Sequence, residues 1–358
     1  MKIANVHYTG FGGLAAVVNG MVTAPGAAEH TWIMGYYGVA PLDASNRAFC
    51  EAHGLKYETF QPLPRRPWSA WRDLVRWLKE ERPDAILCHS ITAIPPCAYY
   101  ARKNRIPLIA VEHTPNEVKS RTEWAGSIAS MFFAHRVVVL TKVYSGLLQA
   151  GLGRLYCPAK VRTIPNGVDA GMFRPIADIV SNGKLCAGMA ARLANTKRHA
   201  ILLEAARDTG LTLRFAGDGE CLEGLKSRAS QIDESLVQFD GLVPADRMPN
   251  WLGDLDIYLH ASEGETFSMS VLQAMATGLP VIASDISGMD EIIGRDGRCG
   301  LLVPNTKQAW RSAIELLAGD AELRKRMGQA ARARVEKEFS TATMLDGYLQ
   351  VIKEVTNR

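Results

Sequence analysis

The stretch IPNGVDAGMFRP, residues 164–175, divides this chain into two halves of similar pattern. Its prolines and its Asn-Gly pair interrupt both helical and strand periodicity. On each side of it, short apolar runs alternate with helical stretches such as residues 69–81 and 197–208. Alternation of strands and helices is typical of parallel sheets covered by helices. We therefore predict an α/β protein with two doubly wound, parallel-sheet domains.

Twelve runs are predicted to be strands, six in each half of the chain. In the first half they are residues 2–8, 30–37, 85–90, 108–113, 136–141 and 161–165. In the second half they are residues 185–191, 211–217, 237–241, 257–261, 280–284 and 300–304. Helical periodicity fills most of the intervals, and the C-terminal tail is helical and amphipathic.

The composition is that of a soluble globular protein. The 358 residues are 47% hydrophobic and 22% charged, which supplies two apolar cores. The seven cysteines are scattered and never spaced as CxxC, which argues for a reducing compartment and against a disulfide framework or a zinc site. The N-terminus does not resemble a signal peptide, and no apolar run approaches the ~18 residues of a membrane span. These features predict a cytoplasmic protein or one on the cytoplasmic face of a membrane.

Charge is distributed unevenly along the chain. Residues 1–165 contain 19 Lys and Arg against 11 Asp and Glu, whereas the remainder has 22 against 26. A basic half favours an anionic partner, such as a phospholipid surface or a phosphorylated acceptor. The alternative is a solvated surface with a chance imbalance. We find no nucleic-acid-binding motif, so nucleic acid is not an expected partner.

The segment from residue 65 to 79 combines tryptophans with cations and resembles a membrane-surface helix. Its tryptophans and basic residues are Trp68, Trp71, Trp77, Arg65, Arg66, Arg72, Arg76 and Lys79. Its predicted apolar face consists of Trp68, Trp71, Leu74, Val75 and Leu78. Packing of that face on a sheet therefore explains much of the pattern, and membrane contact remains for the outer residues.

Loops after predicted strands are where ligands bind to open parallel sheets. After the first strand, Gly10, Gly12 and Ala15 match the dinucleotide fingerprint, but no acidic residue ends the second strand to hold a ribose. The safer interpretation is that Gly12 and Gly13 bring backbone close to a phosphate or a sugar. His89 and His113 each end a strand and make one of the two a candidate for the site; His113 is favoured because Thr-Pro follows it and fixes the exit of the loop.

Two further loops lie in the second half. Arg192 ends a strand and Lys197 begins the next helix, where a cation opposes the helix dipole unless an anion lies between them. Both cations suit a diphosphate. In the loop 261–270, backbone N–H groups of residues 268–270 are predicted to point at an anion, with ordinary N-capping as the alternative. Glu265 is then placed to accept hydrogen bonds from sugar hydroxyls. Asp254 and Asp256 spell DxD, which we interpret as a turn.

The motifs occur in an order that resembles the retaining glycosyltransferases of family 4. They are the Gly12-Gly13 loop, the stretch 164–175, ARLANTK (191–197), FAGDGE (215–220), residues 259–284 and residues 287–304. The resemblance implies the GT-B fold, in which two Rossmann-like domains face each other across a cleft. It implies an N-terminal acceptor domain, residues 1–165, to which a helix at about 342–358 crosses back. Residues 166–341 would form the donor domain.

The resemblance also implies roles for individual residues. The implied catalytic residues are His113, Arg192, Lys197 and Glu265. The implied donor-binding residues are Gly12, Gly13, Gly241, Leu242, Val243, Phe267, Ser268, Met269, Ser270 and Gln273. The chain departs from the Glu-x7-Glu motif at Gln273, where the family has a second glutamate that faces the ribose. An amide still accepts a hydrogen bond there but lacks the strength that charge gives.

The sequence therefore predicts a retaining, metal-independent glycosyltransferase with no cofactor beyond its co-substrate. A UDP-sugar is the expected donor, and a glycan or lipid-linked molecule is the expected acceptor, as in envelope polysaccharide synthesis. Two alternatives remain open. One is a sugar-nucleotide-binding protein without transferase activity, with Gln273 as its first sign of decay. The other is a Rossmann dehydrogenase.

Overall fold

The structure is a computed structural model that describes residues 1–10, 12–116, 119–175, 184–232 and 234–356. The chain forms two compact units. The first contains Met1–Gly167 and Thr341–Arg358, and the second contains Val168–Ser340. The chain thus leaves the first unit within the stretch 164–175 and returns to it for its last helix.

The first unit contains a seven-stranded parallel sheet. Its strands are β1 (Lys2–His7), β2 (Thr31–Tyr37), β3 (Lys56–Phe60), β4 (Ala85–Cys88), β5 (Leu108–Val111), β6 (Arg136–Val139) and β7 (Val161–Thr163). Their order is β3-β2-β1-β4-β5-β6-β7, and each neighbouring pair is parallel. Every residue of β4, β5 and β6 is buried, as expected for strands covered on both faces. The strand order reverses between β1 and β4, which is where such sheets bind ligands.

Helices cover this sheet. They are α1 (Gly13–Val22), α2 (Ala44–Ala52), α3 (Trp71–Glu81), α4 (Ile94–Asn104), α5 (Arg121–Phe133) and α6 (Lys142–Leu152). Capping residues fix several of their starts. Ser120 and Glu123 form a capping box at α5, and the side chain of Thr141 accepts a hydrogen bond from the backbone N–H of Tyr144 at α6.

Helix α3 differs in one respect from its predicted packing. Leu74, Trp77 and Leu78 are buried, and the ring centroid of Trp77 lies 5.5 Å from that of Phe60. The placement of Trp68 on the packed face was wrong, because Trp68 lies in a short turn before the helix and is 58% exposed. Helical periodicity begins only at Trp71, so it does not extend back to this residue.

The second unit contains a six-stranded parallel sheet. Its strands are β8 (Cys186–Ala190), β9 (Thr212–Ala216), β10 (Val237–Gly241), β11 (Ile257–His260), β12 (Val281–Ser284) and β13 (Gly300–Val303). Their order is β10-β9-β8-β11-β12-β13. The helices are α7 (His199–Ala206), α8 (Leu222–Ser230), α9 (Met248–Gly253), α10 (Met269–Ala276), α11 (Met289–Ile293), α12 (Lys307–Gly319) and α13 (Ala321–Glu338). Two doubly wound sheets are thus confirmed.

The last helix, α14 (Thr341–Thr356), belongs to the first unit. Its residues Met344, Leu345, Tyr348 and Ile352 are buried. Near its end, the Glu354 carboxylate accepts hydrogen bonds from Arg162 at 3.0 and 3.2 Å, and Arg136 lies 3.5 Å away. Ion pairs therefore tie this helix to β6 and β7.

Across the described residues, none of the helices combines the length and apolar character needed to cross a bilayer.

Candidate functional site

In the second unit, the end of β11 and the two loops beside it bring charged side chains together. The Lys197 ammonium donates a hydrogen bond to the Glu265 carboxylate, and His260 Nε2 donates to the same oxygen over 2.8 Å. Lys197 lies in a short turn before α7, and Glu265 lies in the loop between β11 and α10. The structure therefore joins two of the predicted catalytic residues in one network.

The Glu265 carboxylate is ionised at neutral pH. Burial raises its pKa, but the hydrogen bond and charge of His260, followed by the Lys197 ammonium, outweigh burial and lower the pKa to about 2. A permanently ionised carboxylate is a strong acceptor for hydroxyl groups. His260 was not predicted as a site residue, although a histidine at the end of a buried strand was a visible signal.

Helix α10 begins directly after this network. Ser268 is its N-cap, and the Ser268 side chain accepts a hydrogen bond from the backbone N–H of Val271 over 3.4 Å. The helix starts at Met269 because Ser268 provides the cap. Capping uses one N–H group and leaves those of Met269 and Ser270, which have no hydrogen-bond acceptor among the described residues.

Phe267 was predicted to bind the donor, but its side chain is buried. Only 8% of Phe267 is exposed, and its ring packs against Phe339 with centroids 5.9 Å apart. The side chain therefore holds the loop in place, and only the backbone of this residue can face a ligand.

The neighbouring loop holds the other predicted cation. Arg192 follows β8 and is exposed, and its side chain has no ion pair or hydrogen bond within the described ranges. Its loop is supported by the FAGDGE segment. The backbone N–H of Leu193 donates to Asp218, and a Cβ at Gly217 would lie 2.0 Å from the carbonyl oxygen of Ala191. Only glycine permits this close approach, so the segment fixes the path of the loop that carries Arg192.

Glu263, two residues before Glu265 in the same loop, has a structural role. Its carboxylate accepts a hydrogen bond from Arg198 over 2.9 Å, and its backbone N–H donates to Thr196 over 2.9 Å. These contacts tie the Lys197 turn to the Glu265 loop. The ion pair itself is exposed, so its own contribution to stability is small.

Residues predicted for the nucleotide lie at two other places in this unit. Gly241 ends β10, and the next residue, Leu242, is 78% exposed. Val243 follows and is half-buried. Gln273 lies half-buried in α10, and its side chain makes no hydrogen bond with the part of the chain that the structure describes. Each is accessible to a ligand.

In the first unit, the carboxyl ends of three adjacent strands each carry a histidine. His7 ends β1, His89 follows β4, and His113 follows β5. Nδ1 of His89 lies 2.8 Å from Nε2 of His113. Burial lowers the pKa of His113 to about 4, and burial together with His113 lowers that of His7 to about 3. These histidines are therefore neutral near pH 7.

The loop after β5 is anchored by a buried ion pair that sequence reasoning missed. The Lys119 ammonium lies 2.8 Å from the Glu112 carboxylate, and neither side chain has exposed surface. Lys119 also donates to Ser127 over 2.9 Å and lies 4.8 Å from the ring centroid of Trp124. Glu112 could have indicated this pair from the sequence, because a carboxylate at the end of a buried apolar strand requires a partner. Glu112 directly precedes His113 in the chain, and Lys119 follows it.

Gly12 and Gly13 lie at the start of α1. Gly12 is the N-cap residue with a φ of 153°, and Gly13 is the first residue of the helix. The preceding residue, Phe11, lies outside the described residues. Among the described residues, no side chain caps this end of the helix, which leaves its N–H groups for a ligand.

The DxD pair serves the fold. Asp254 binds Arg214 over 3.1 Å, and Asp256 accepts the backbone N–H of Cys186 over 2.8 Å. Within the described residues, no group of three or more His, Cys, Asp or Glu side chains is arranged to hold a metal ion.

Family models match both halves of the chain. The model described as Glycosyltransferase Family 4 matches residues 11–171, and the model described as Glycosyl transferases group 1 matches residues 178–334. The chain belongs to a GT4-like family of glycosyltransferases.

The matches between this GT4-like chain and its sequence relatives cover only part of each relative. D-inositol 3-phosphate glycosyltransferase of Saccharomonospora viridis is 27% identical over 285 residues, which are 70% of this chain and 65% of the relative. An exopolysaccharide phosphotransferase of Streptomyces coelicolor is 30% identical over 266 residues, which are 71% of this chain and 27% of the relative. The chain thus spans less than two thirds of these relatives.

Solved structures share the fold of this GT4-like protein. Anabaena HepE in complex with UDP matches with a TM-score of 0.84 at 21% identity, over 99% of this chain and 100% of that chain. HepE in complex with UDP-glucose matches with a TM-score of 0.83 at 22% identity, over 100% of both chains. The predicted GT-B fold is thereby confirmed.

Proposed function

We propose that the protein is a retaining, metal-independent glycosyltransferase that moves a sugar from a nucleoside-diphosphate sugar to an acceptor hydroxyl. The observation that carries this proposal is the Lys197–Glu265–His260 network beside the start of α10. It places a cation, a permanently ionised carboxylate and free helix N–H groups at the edge of the sheet where ligands bind. A diphosphate and the hydroxyls of a sugar are complementary to that set.

In the proposed reaction, the bond between the sugar C1 and the phosphate oxygen breaks, and its electron pair leaves with the diphosphate. Arg192, Lys197 and the N–H groups of residues 268–270 offset the growing negative charge. The acceptor hydroxyl oxygen bonds to C1 on the same face, and its proton passes to the departing phosphate oxygen. Among the described residues, no second carboxylate joins the Lys197–Glu265–His260 network, since Glu263 pairs with Arg198, so we favour this front-face course over a covalent intermediate.

Lys197 has two partners in this proposal. Without a ligand, the Lys197 charge is paired with the Glu265 carboxylate. The two side chains are only 21% and 16% exposed, so water screens the pair little. A bound diphosphate would share Lys197, while Glu265 would accept hydroxyl groups of the sugar. His113 and the Gly12-Gly13 backbone of the first unit would contact the sugar and the phosphate.

We propose a UDP-sugar as the donor. The similar HepE structures hold UDP and UDP-glucose, which supports this choice. The exposed Leu242, with Gly241 and Val243, offers an apolar surface for the base, and Gln273 offers an amide to the ribose.

We propose a glycan or lipid-linked acceptor at the cytoplasmic face of a membrane, in envelope polysaccharide or glycoconjugate synthesis. The relative named an exopolysaccharide phosphotransferase agrees with this setting. A groove between α3 and α4 supports membrane contact, with Trp71, Val75, Pro95 and Tyr99 as apolar lining. The cations of its rim are Arg72, Arg76 and Lys79. Cations around exposed aromatic rings suit an anionic lipid surface.

Release of UDP from UDP-sugars, with and without candidate acceptors, tests the proposed activity. We expect Lys197→Ala to lower kcat/KM by roughly 100-fold or more, because it removes a charge that stabilises the leaving group. Lys226→Ala, at an exposed lysine of α8, is the matched control and should turn over normally. An unchanged Lys197→Ala rate would refute the diphosphate role.

Two further results would contradict parts of the proposal. Loss of transfer after EDTA treatment would refute metal independence. Binding of UDP-sugars without transfer or slow hydrolysis, across many acceptors, would favour the alternative of a binding protein, for which the amide at position 273 is the supporting observation.

A further inference from the structure

His89 and His113 form a contact that the proposed reaction does not explain. The two residues follow β4 and β5, which are neighbours in the sheet of the first unit. Their rings are nearly parallel, with an interplanar angle of 26° and centroids 5.1 Å apart. Nδ1 of His89 and Nε2 of His113 are 2.8 Å apart, which is a hydrogen-bond distance.

One proton lies between these two nitrogens. Burial lowers the pKa of His113 to about 4, and burial, followed by His113 and His7, lowers the pKa of His89 well below its usual value. Both rings are therefore neutral at pH 7. Each neutral imidazole has one donor and one acceptor nitrogen, so the hydrogen bond couples the tautomers of the two rings.

The surroundings of His89 decide the direction of this hydrogen bond. His89 is 1% exposed, and its Nε2 is buried without a hydrogen-bond partner among the described residues. If His113 donated, His89 would have to carry its proton on that isolated Nε2. Orphaned buried N–H groups are rare in proteins because they forfeit their hydrogen bond to water. The arrangement that avoids one has Nδ1–H of His89 donating to Nε2 of His113.

We propose that His89 is a positioning residue that fixes the proton of His113 on Nδ1. His113 then presents an N–H donor from its outer nitrogen and cannot accept a proton at Nε2. This role of His113 rests on the proposed sugar-transfer function. In that function, His113 donates a hydrogen bond to an oxygen of the donor sugar and is not the base that deprotonates the acceptor.

The ring of Tyr348 packs near the ring of His89 and helps to hold it in place. Tyr348 belongs to α14, is buried, and has its ring centroid 6.2 Å from that of His89. A shift of His89 would therefore disturb packed aromatic rings as well as the hydrogen bond. This packing explains how a residue that need not touch the substrate keeps a fixed geometry.

Nitrogen-15 NMR of protein labelled at histidine tests the tautomer directly, and a His113→Gln variant assigns the signals. In the wild-type protein we expect a protonated Nδ1 and an unprotonated Nε2 on His113. A protonated Nε2, or a mixture of tautomers, would overturn the proposal. This readout needs no turnover, so it stays valid if the transferase activity itself proves wrong.

Two variants separate the hydrogen bond from packing. His89→Phe keeps a ring but removes the donor, and we expect a changed His113 tautomer and a kcat lower by roughly 10-fold with little change in KM. His89→Asn keeps an N–H donor near the position of Nδ1 and should restore the His113 signals and most of kcat. Unchanged His113 signals in His89→Phe would contradict the proposal. If that variant fails to fold, an altered His113 tautomer in His89→Asn would contradict it.

Discussion

At the scale of single residues, Gln273 is the half-buried amide of α10 that we propose for the ribose. We expect Gln273→Glu to bind UDP about fivefold more tightly, because a charged acceptor gains about 1 kcal/mol over a neutral one in a hydrogen bond to a hydroxyl. Titration calorimetry with UDP measures this difference.

The control for that measurement is Gln308→Glu, which adds the same charge at an exposed position of α12 in the same unit. It should leave UDP affinity unchanged. Equal or weaker binding by Gln273→Glu would show that position 273 does not face the ribose.

His7 gives a pH-dependent contribution to stability. Its folded pKa is lowered to about 3 by burial and by His113, whereas an unfolded histidine titrates near 6.5. Between these values the unfolded chain takes up a proton that the folded protein does not, so stability falls as pH falls. From pH 7.5 to 5.0, we expect the share of His7 in the loss of unfolding free energy to be roughly 2 kcal/mol.

Urea unfolding at the two pH values measures this loss. His7→Phe preserves the ring that packs on Tyr36, with centroids 4.5 Å apart, and should reduce the pH dependence by the share of His7. His53→Phe, at an exposed histidine after α2, is the control and should not. A wild-type stability that does not change over this range would contradict the prediction.

At the scale of elements, α14 depends on its ion pairs. Glu354→Gln leaves the buried Arg136, whose side chain is 6% exposed, without its charged partner. We expect a loss of roughly 2 kcal/mol in unfolding free energy, since a buried charge without a partner is costly and the hydrogen bonds from Arg162 lose their charged acceptor as well. Thermal and chemical unfolding both measure it.

Asp346→Asn is the matched control, because Asp346 is an exposed acidic residue on the same helix. It should leave stability within experimental error. Similar losses in both variants would mean that general charge on α14, and not the pair with Arg136, determines the effect.

The prediction of elements failed where local pattern and burial disagree. Twelve of the thirteen strands in the described ranges lie within predicted runs, because buried parallel strands require continuous apolar stretches. The missed strand β3, KYETF, lies at the edge of its sheet and is only partly buried, so polar residues replace the apolar run. The prediction for Trp68 failed for the opposite reason. This apolar residue was assigned to the packed face of α3, but the helix starts three residues later, at Trp71.

At the scale of the whole molecule, the basic half of the chain predicts salt-dependent binding to anionic membranes. We expect the triple variant Arg72→Gln, Arg76→Gln, Lys79→Gln to lose roughly 100-fold in affinity for vesicles that contain anionic phospholipid, at about 1 kcal/mol per cation. Sedimentation with vesicles at low and high salt measures this loss.

A second triple variant provides the control. Lys325→Gln, Arg326→Gln and Lys337→Gln change net charge equally at exposed positions of α13 in the other unit. Equal loss in both variants would indicate a net-charge effect. Equal partition of the wild-type protein to neutral and anionic vesicles would refute the membrane surface.

By itself, the sequence determined the two-sheet architecture and the positions of the loops that carry Arg192, Lys197 and Glu265. These follow from local patterns, since strand runs, turns and glycines act within a few residues. Only the tertiary structure decided which side chains meet. Lys197 with Glu265, and His89 with His113, join residues that are far apart along the chain, because burial and charge pairing depend on neighbouring strands and loops.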